Sequence, residues 1–178
     1  MCYPGVSVRI DRLVGSRDYR DMLETDLLIL QLEQAFDHRS WHGTNLLGSI
    51  RGIPPEQAAW RPAKGRHNVW EIIVHAAYWK YTVYRRLVGE TKGSFPLKGS
   101  NWFLRPIEGT AAELKADAHL LREFHNKLLA AVKQCSPRRL DDAPAGSRFT
   151  LRELIVGVAA HDLYHAGQIQ LLKRLWQT

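Results

Sequence analysis

Between Leu151 and Trp176 the apolar residues recur at helical spacing, with two histidines standing in their row. Leu151, Leu154, Val158, His161, His165, Ile169 and Leu172 share one face of a 3.6-residue repeat, which predicts an amphipathic helix over 151–176. A stripe of this length has to bury itself against other elements, and it carries the histidines inward with it. A buried imidazole left without a partner costs about 1–3 kcal/mol. His161 and His165, four residues apart, lie one above the other on the helix, so a single metal ion is a partner for both. Two solvated or separately hydrogen-bonded side chains are the other reading of this spacing.

The rest of the chain supplies helices for that stripe to pack on. Leu28, Leu32, Ala35, Arg39, Gly43, Leu46 and Ile50 describe one face of a first long helix from about Asp21, ended by Gly52-Ile53-Pro54-Pro55. After a loop with one short turn, Asn68-Val69-Trp70-Glu71 has the pattern of a capping box. It opens a second helix from about Val69 to Val88, closed by Gly89. Residues 89–109 form the longest irregular connection, and Phe95, Trp102 and Phe103 are its means of docking on the surface or of meeting a second copy. Thr110-Ala111-Ala112-Glu113 opens a third helix, with Leu114, Ala118, Leu121, His125, Leu128 and Val132 on one face, and Ser136-Pro137 stops it. Thr150-Leu151-Arg152-Glu153 is the capping box of the last helix. No segment alternates with period two, so no strand is predicted. Four amphipathic helices make an all-α four-helix bundle the economical fold, with residues 1–20 as a loosely held arm and 21–178 as one domain.

Composition narrows the function classes. No apolar run approaches the roughly 20 residues a membrane span needs. The start, Met1-Cys2-Tyr3-Pro4-Gly5, lacks the basic and then apolar regions of a signal peptide, so a cytoplasmic location is expected. Cys2 and Cys135 fit no zinc or redox spacing and are expected to be reduced thiols without a catalytic role. The net charge of +7 permits contact with polyanions. The basic residues are nevertheless scattered in pairs such as Arg85-Arg86 and Lys173-Arg174, and no nucleic-acid-binding signature is present. A basic soluble surface is the expectation, rather than a nucleic-acid partner.

A third metal ligand is available on the second helix. Ile72, Ile73, Ala76, Trp79, Val83 and Leu87 mark its buried side, and His75 lies at the edge of that side. With His161 and His165 it makes three neutral nitrogen donors, the number a catalytic zinc or nickel site uses when positions stay open for substrate. Asp162 is a candidate base or orienting group for a ligand imidazole, and a hydrogen bond between helices is its ordinary role. Arg39 and His42 fall on the apolar face of the first helix. There His42 would face the open positions and Arg39 would pair with an anionic substrate or snorkel to solvent. His125 lines the same cavity or is a satisfied core histidine. Tyr164 and Gln168 are further pocket candidates, while His38, His67 and His119 read as solvated positions or caps.

These residues fall in three blocks: Trp41-His42-Gly43-Thr44-Asn45-Leu46, then Gly65 to Glu71 leading into His75-Ala76-Ala77-Tyr78-Trp79, and His161 to Ile169. Together and in this order they resemble the DinB-like (YfiT-like) superfamily over about residues 22–176. The resemblance implies an up-down-down-up bundle holding a divalent metal on His75, His161 and His165, and a homodimer. It implies a metal-dependent enzyme acting on a small molecule, with thiol-dependent S-transfer from a low-molecular-weight thiol as the leading activity. Metal-dependent hydrolysis and non-catalytic metal binding are the alternatives.

The near match of His161-Asp162-Leu163-Tyr164-His165 to the H-E-x-x-H pattern of zinc peptidases is weaker. Asp is one methylene shorter than the Glu that positions the attacking water. The residues after His165 include no His, Asp or Glu to serve as a third ligand.

Overall fold

A computed structural model describes the backbone over residues 17–176 and the side chains over residues 24–176. Within that range the chain is all-helical: α1 (Arg17–Phe36), α2 (Leu46–Ile50), α3 (Pro55–Ala59), α4 (Val69–Leu87), α5 (Ala111–Gln134) and α6 (Leu151–Trp176). The expected arm lies outside the described residues as far as residue 16, and residues 17–20 already belong to α1. The four long helices close a ring in which α4 packs on α5 and α6, and α1 packs on the other side of the same two. None of the described helices is long and apolar enough to cross a membrane.

The first long helix is shorter than its periodicity predicts. It stops at Phe36, and residues 37–45 form a loop before α2. Gly43 adopts φ 97°, where a side chain would be strained. Asn45 then restarts the helix, its side chain accepting from the Gly48 amide at 2.8 Å and its amide donating to the His38 carbonyl. Leu46 and Ile50 fall in helical phase with Leu28, Leu32 and Ala35, so the spacing conceals the break although Arg39 and Gly43 occupy the gap. In consequence Arg39 and His42 are exposed on the loop rather than on a buried helix face, and Ser40 Oγ lies 3.4 Å from His42 Nδ1.

The other helix starts follow their caps. Thr110 and Glu113 make the full reciprocal box, as do Thr150 and Glu153. At Asn68 only half of the predicted box forms. Its side chain accepts from the Glu71 amide, but the Glu71 carboxylate turns instead to Arg61, in a two-pronged contact at 2.5 and 2.9 Å, and to His67. The connection over 89–109 is docked rather than projecting. Phe103 is buried, and Phe95 and Phe103 pack with Tyr78 of α4. These aromatics are therefore not an exposed patch for a second copy.

The core is divided. One apolar cluster gathers around Trp70, Ile73, Leu121, Phe124 and Ile169, and a second around Leu32, Val83, Leu128, Ile155 and Val158. In α4, α5 and α6 the residues between the two are Lys80, His125 and Asp162, all buried. Lys80 Nζ donates to Asp162 Oδ2 at 2.5 Å, lies 3.3 Å from His125 Nδ1, and sits 4.7 Å from the centre of the Phe36 ring. Helical periodicity places Lys80 beside the buried stripe of α4, but a lysine there reads as solvated. Its burial is visible only in the packed structure.

Replacing Lys80 with Met removes the cation and leaves the Asp162 carboxylate buried without its ion-pair partner. We expect Lys80→Met to destabilise the fold by roughly 3–5 kcal/mol in urea denaturation. A loss below about 1 kcal/mol would show that the pair contributes nothing that packing cannot replace.

Candidate metal centre

His75 projects from α4, and His161 and His165 from successive turns of α6, into the seam between the two helices. His161 Nε2 lies 3.1 Å from His75 Nε2 and 3.0 Å from His165 Nε2. Two nitrogens bound to one ion at about 2.1 Å cannot lie more than about 4.2 Å apart, so both separations fit a shared ion. A proton on His161 Nε2 bonds to only one of its two neighbours at a time, whereas a cation serves all three. Among the described residues, these three form a group able to hold a metal ion.

The back of each ring decides which nitrogen faces the centre. His75 Nδ1 donates to the Asn101 carbonyl at 2.8 Å, and His165 Nδ1 donates to Gln168 Oε1 at 2.7 Å. Both bonds place the proton on Nδ1 and leave the Nε2 lone pair turned toward the centre, the arrangement that metal-ligating imidazoles need. His161 Nδ1 is buried and has no hydrogen-bond partner. Gln168 thus stands behind a ring of the triad and also borders the cavity on the His165 side.

Asn101 is a residue that the sequence did not single out. It is the one non-glycine residue with positive φ among those described, at 62°. In that conformation its carbonyl meets His75 while its side chain accepts from Trp79 Nε1 at 3.0 Å. The neighbouring Trp102 stacks on His75 at 3.8 Å between centroids and on His67 at 3.5 Å. His67, read from sequence as solvated or capping, is therefore the outer layer of a three-ring stack and also contacts Glu71 at 3.0 Å.

The remaining candidates do not converge on the triad. Asp162 is fully buried; Oδ2 is paired with Lys80 and Oδ1 has no partner, so it orients none of the three histidines through a hydrogen bond. Burial pushes its carboxyl upward and Lys80 opposes that shift. His125 stacks on Phe36 at 3.6 Å beside Lys80, which makes it a core histidine. The two cavities flanking the triad are bordered by neither His125, Arg39 nor His42. Burial raises the thiol of Cys135, the opposite of what a nucleophilic cysteine needs.

Each cavity reaches the triad from a different side. One, of about 480 Å³, runs between α4 and α6 past His75, Trp79, Val83, Gly157 and His161. The other, of about 530 Å³, meets His165 with Arg66, His67, Trp102, Tyr164 and Gln168. Tyr164 accordingly does line a pocket, with its side chain largely exposed.

Burial holds the triad neutral. It lowers His75, brings His161 to about 3, helped by the neighbouring His165 and His75, and brings His165 to about 4. Burial, reinforced by the Lys80 charge, takes His125 to about 2. All four are depressed bases, so below the ordinary value of 6.5 the unfolded chain binds protons that the folded chain does not. Stability is therefore full above that pH and falls as the pH drops through 6.5 toward 4, by about 1.4 kcal/mol per pH unit for His125 well inside the window. We expect the melting temperature of the metal-free protein to fall between pH 7 and pH 5, with proton uptake on unfolding measurable by calorimetry in buffers of different ionisation heat. A flat profile over that range would contradict neutral burial.

Compared with known protein families, residues 38–169 match the DinB superfamily. No curated protein and no solved structure matches the chain. The matched region spans well over half of the 178 residues and contains His75, His161 and His165, and the chain belongs to the DinB superfamily.

Proposed function

We propose that this protein is a divalent-metal-dependent enzyme in which His75, His161 and His165 are the ligands, and that its reaction is transfer from a low-molecular-weight thiol to a small apolar substrate. The observation that carries the reading is the convergence of three Nε2 atoms at hydrogen-bond separations with two of the opposite nitrogens tied to acceptors. A soft-to-borderline ion such as zinc or nickel suits three imidazoles. Held by three uncharged ligands, it keeps its full positive charge and lowers the pKa of a thiol or water beside it.

The protein's own residues favour a thiol over a water nucleophile. Activation of water is helped by a general base, and the nearby carboxylates are committed elsewhere: Asp162 to Lys80, and Glu153 to the start of α6. A thiol, with an ordinary pKa of about 8.5, gives up its proton to solvent far more readily than water does, so it depends less on such a base. His75 and His165 are held in orientation by Asn101 and Gln168, and Trp102 covers the face of His75. Exposed Tyr164 and Leu171 border the cavity on the His165 side. A homodimer formed over this part of α6 would close that cavity against water.

His165→Ala is expected to lose stoichiometric metal by elemental analysis of protein purified with zinc; full occupancy would remove His165 from the ligand set. Gln168→Ala retains all three ligands and should weaken metal affinity about 10- to 100-fold in a chelator competition. Turnover is tested by screening several low-molecular-weight thiols against apolar electrophiles, comparing loaded with chelated protein. Equal rates in both states would refute metal dependence.

A further inference from the structure

Gly157 lies in the second turn of the 26-residue helix α6, and inside a helix glycine is the poorest residue short of proline. Nothing among the described residues requires it. Its φ is not positive, and a Cβ built there meets none of their atoms within 4 Å. What the missing side chain does leave is space. Gly157 is four residues before His161, on the same face of α6, and both border the cavity of about 480 Å³. His75, Trp79 and Val83 recur every fourth residue along α4 and form the opposite wall.

The lining also sets the kind of group that fits. Glu153 is the only Asp, Glu, Lys or Arg on it, and its carboxylate accepts from the Thr150 amide at 2.7 Å and the Thr150 hydroxyl at 2.9 Å. Trp79 offers an indole wall, anchored through its N–H to Asn101 at 3.0 Å. The cavity on the His165 side is apolar as well, but it adds the Arg66 cation and the polar His67 and Gln168. We propose that Gly157 is a specificity-determining position, whose bare backbone opens the seam beside His161 to an uncharged apolar or aromatic group of the substrate. That the group belongs to a substrate rests on the metal-centre reading above; the cavity and its preference do not.

The test uses the uncharged fluorophore N-phenyl-1-naphthylamine, titrated into the metal-free protein, with metal stoichiometry and melting temperature measured in parallel. The parent protein is expected to bind it saturably. Gly157→Leu should weaken binding at least tenfold while metal stoichiometry is unchanged, because the added side chain fills the seam without touching a ligand. Gly157→Ala, whose single added carbon meets nothing, should raise the melting temperature by about 2–4 °C and weaken binding less than Leu does. Parental affinity in Gly157→Leu, no saturable binding in the parent, or a lower melting temperature in Gly157→Ala would each overturn the proposal. Loss of metal binding by the parent with fluorophore binding intact would instead sink the metal-centre reading and leave the cavity assignment standing.

Discussion

The ion pair between Lys80 and Asp162 is the contact on which the arrangement of this bundle depends. Burying either charge alone costs several kcal/mol, and the cost is offset only when the partner arrives in hydrogen-bonding position. At 2.5 Å, with His125 and the Phe36 ring on the remaining sides of the ammonium group, that condition is met. Purely apolar stripes tolerate a slip of α6 along α4 by repacking, whereas a slipped ion pair leaves two buried charges unmatched. The pair therefore acts as a register mark between these helices, placed where the two apolar clusters meet.

The same register assembles the histidines. Asp162 follows His161 directly, and Lys80 lies five residues beyond His75, about 7.5 Å along the axis of α4. Matching Lys80 to Asp162 thus brings His75 opposite His161 and His165, and a helical site that spans two elements inherits the precision of a contact buried inside the bundle. The loop over 89–109 adds the outer support. Its Asn101 and Trp102 reach the back and the face of His75, and its own position is secured by Phe103 in the core and by Arg105, which pairs with Asp117 of α5 at 2.7 Å. The site is then held from behind by hydrogen bonds and stacking and borders two cavities, one with a cation in its lining and one without.

Much of this is legible in the sequence, and what is not has physical causes. The stripes of α4, α5 and α6 and the full capping boxes of α5 and α6 are legible because helix propensity, capping and amphipathicity act within a few residues of one another, while the box at Asn68 forms only in half because Arg61 and His67 take the Glu71 carboxylate. The break after Phe36 is hidden because Leu46 and Ile50 resume the phase of Leu28, Leu32 and Ala35, and the buried face this implies for Arg39 and His42 does not exist. The burial of Lys80 is not legible because a lone lysine beside an apolar stripe ordinarily reaches solvent. His67 and Asn101 carry no local signature of their roles. Only a left-handed residue in a docked loop puts the Asn101 carbonyl against His75.

The three long helices α4, α5 and α6, the i,i+4 histidine pair and the family follow from neighbours along the chain, whereas the end of α1 does not. Tertiary structure decided that His75 meets that pair, that Asp162 faces Lys80 instead of a ligand, and that Gly157 opens a cavity instead of a packing contact. These depend on distances between helices and on which charges lose their water, and neither quantity is set by spacing along a single helix.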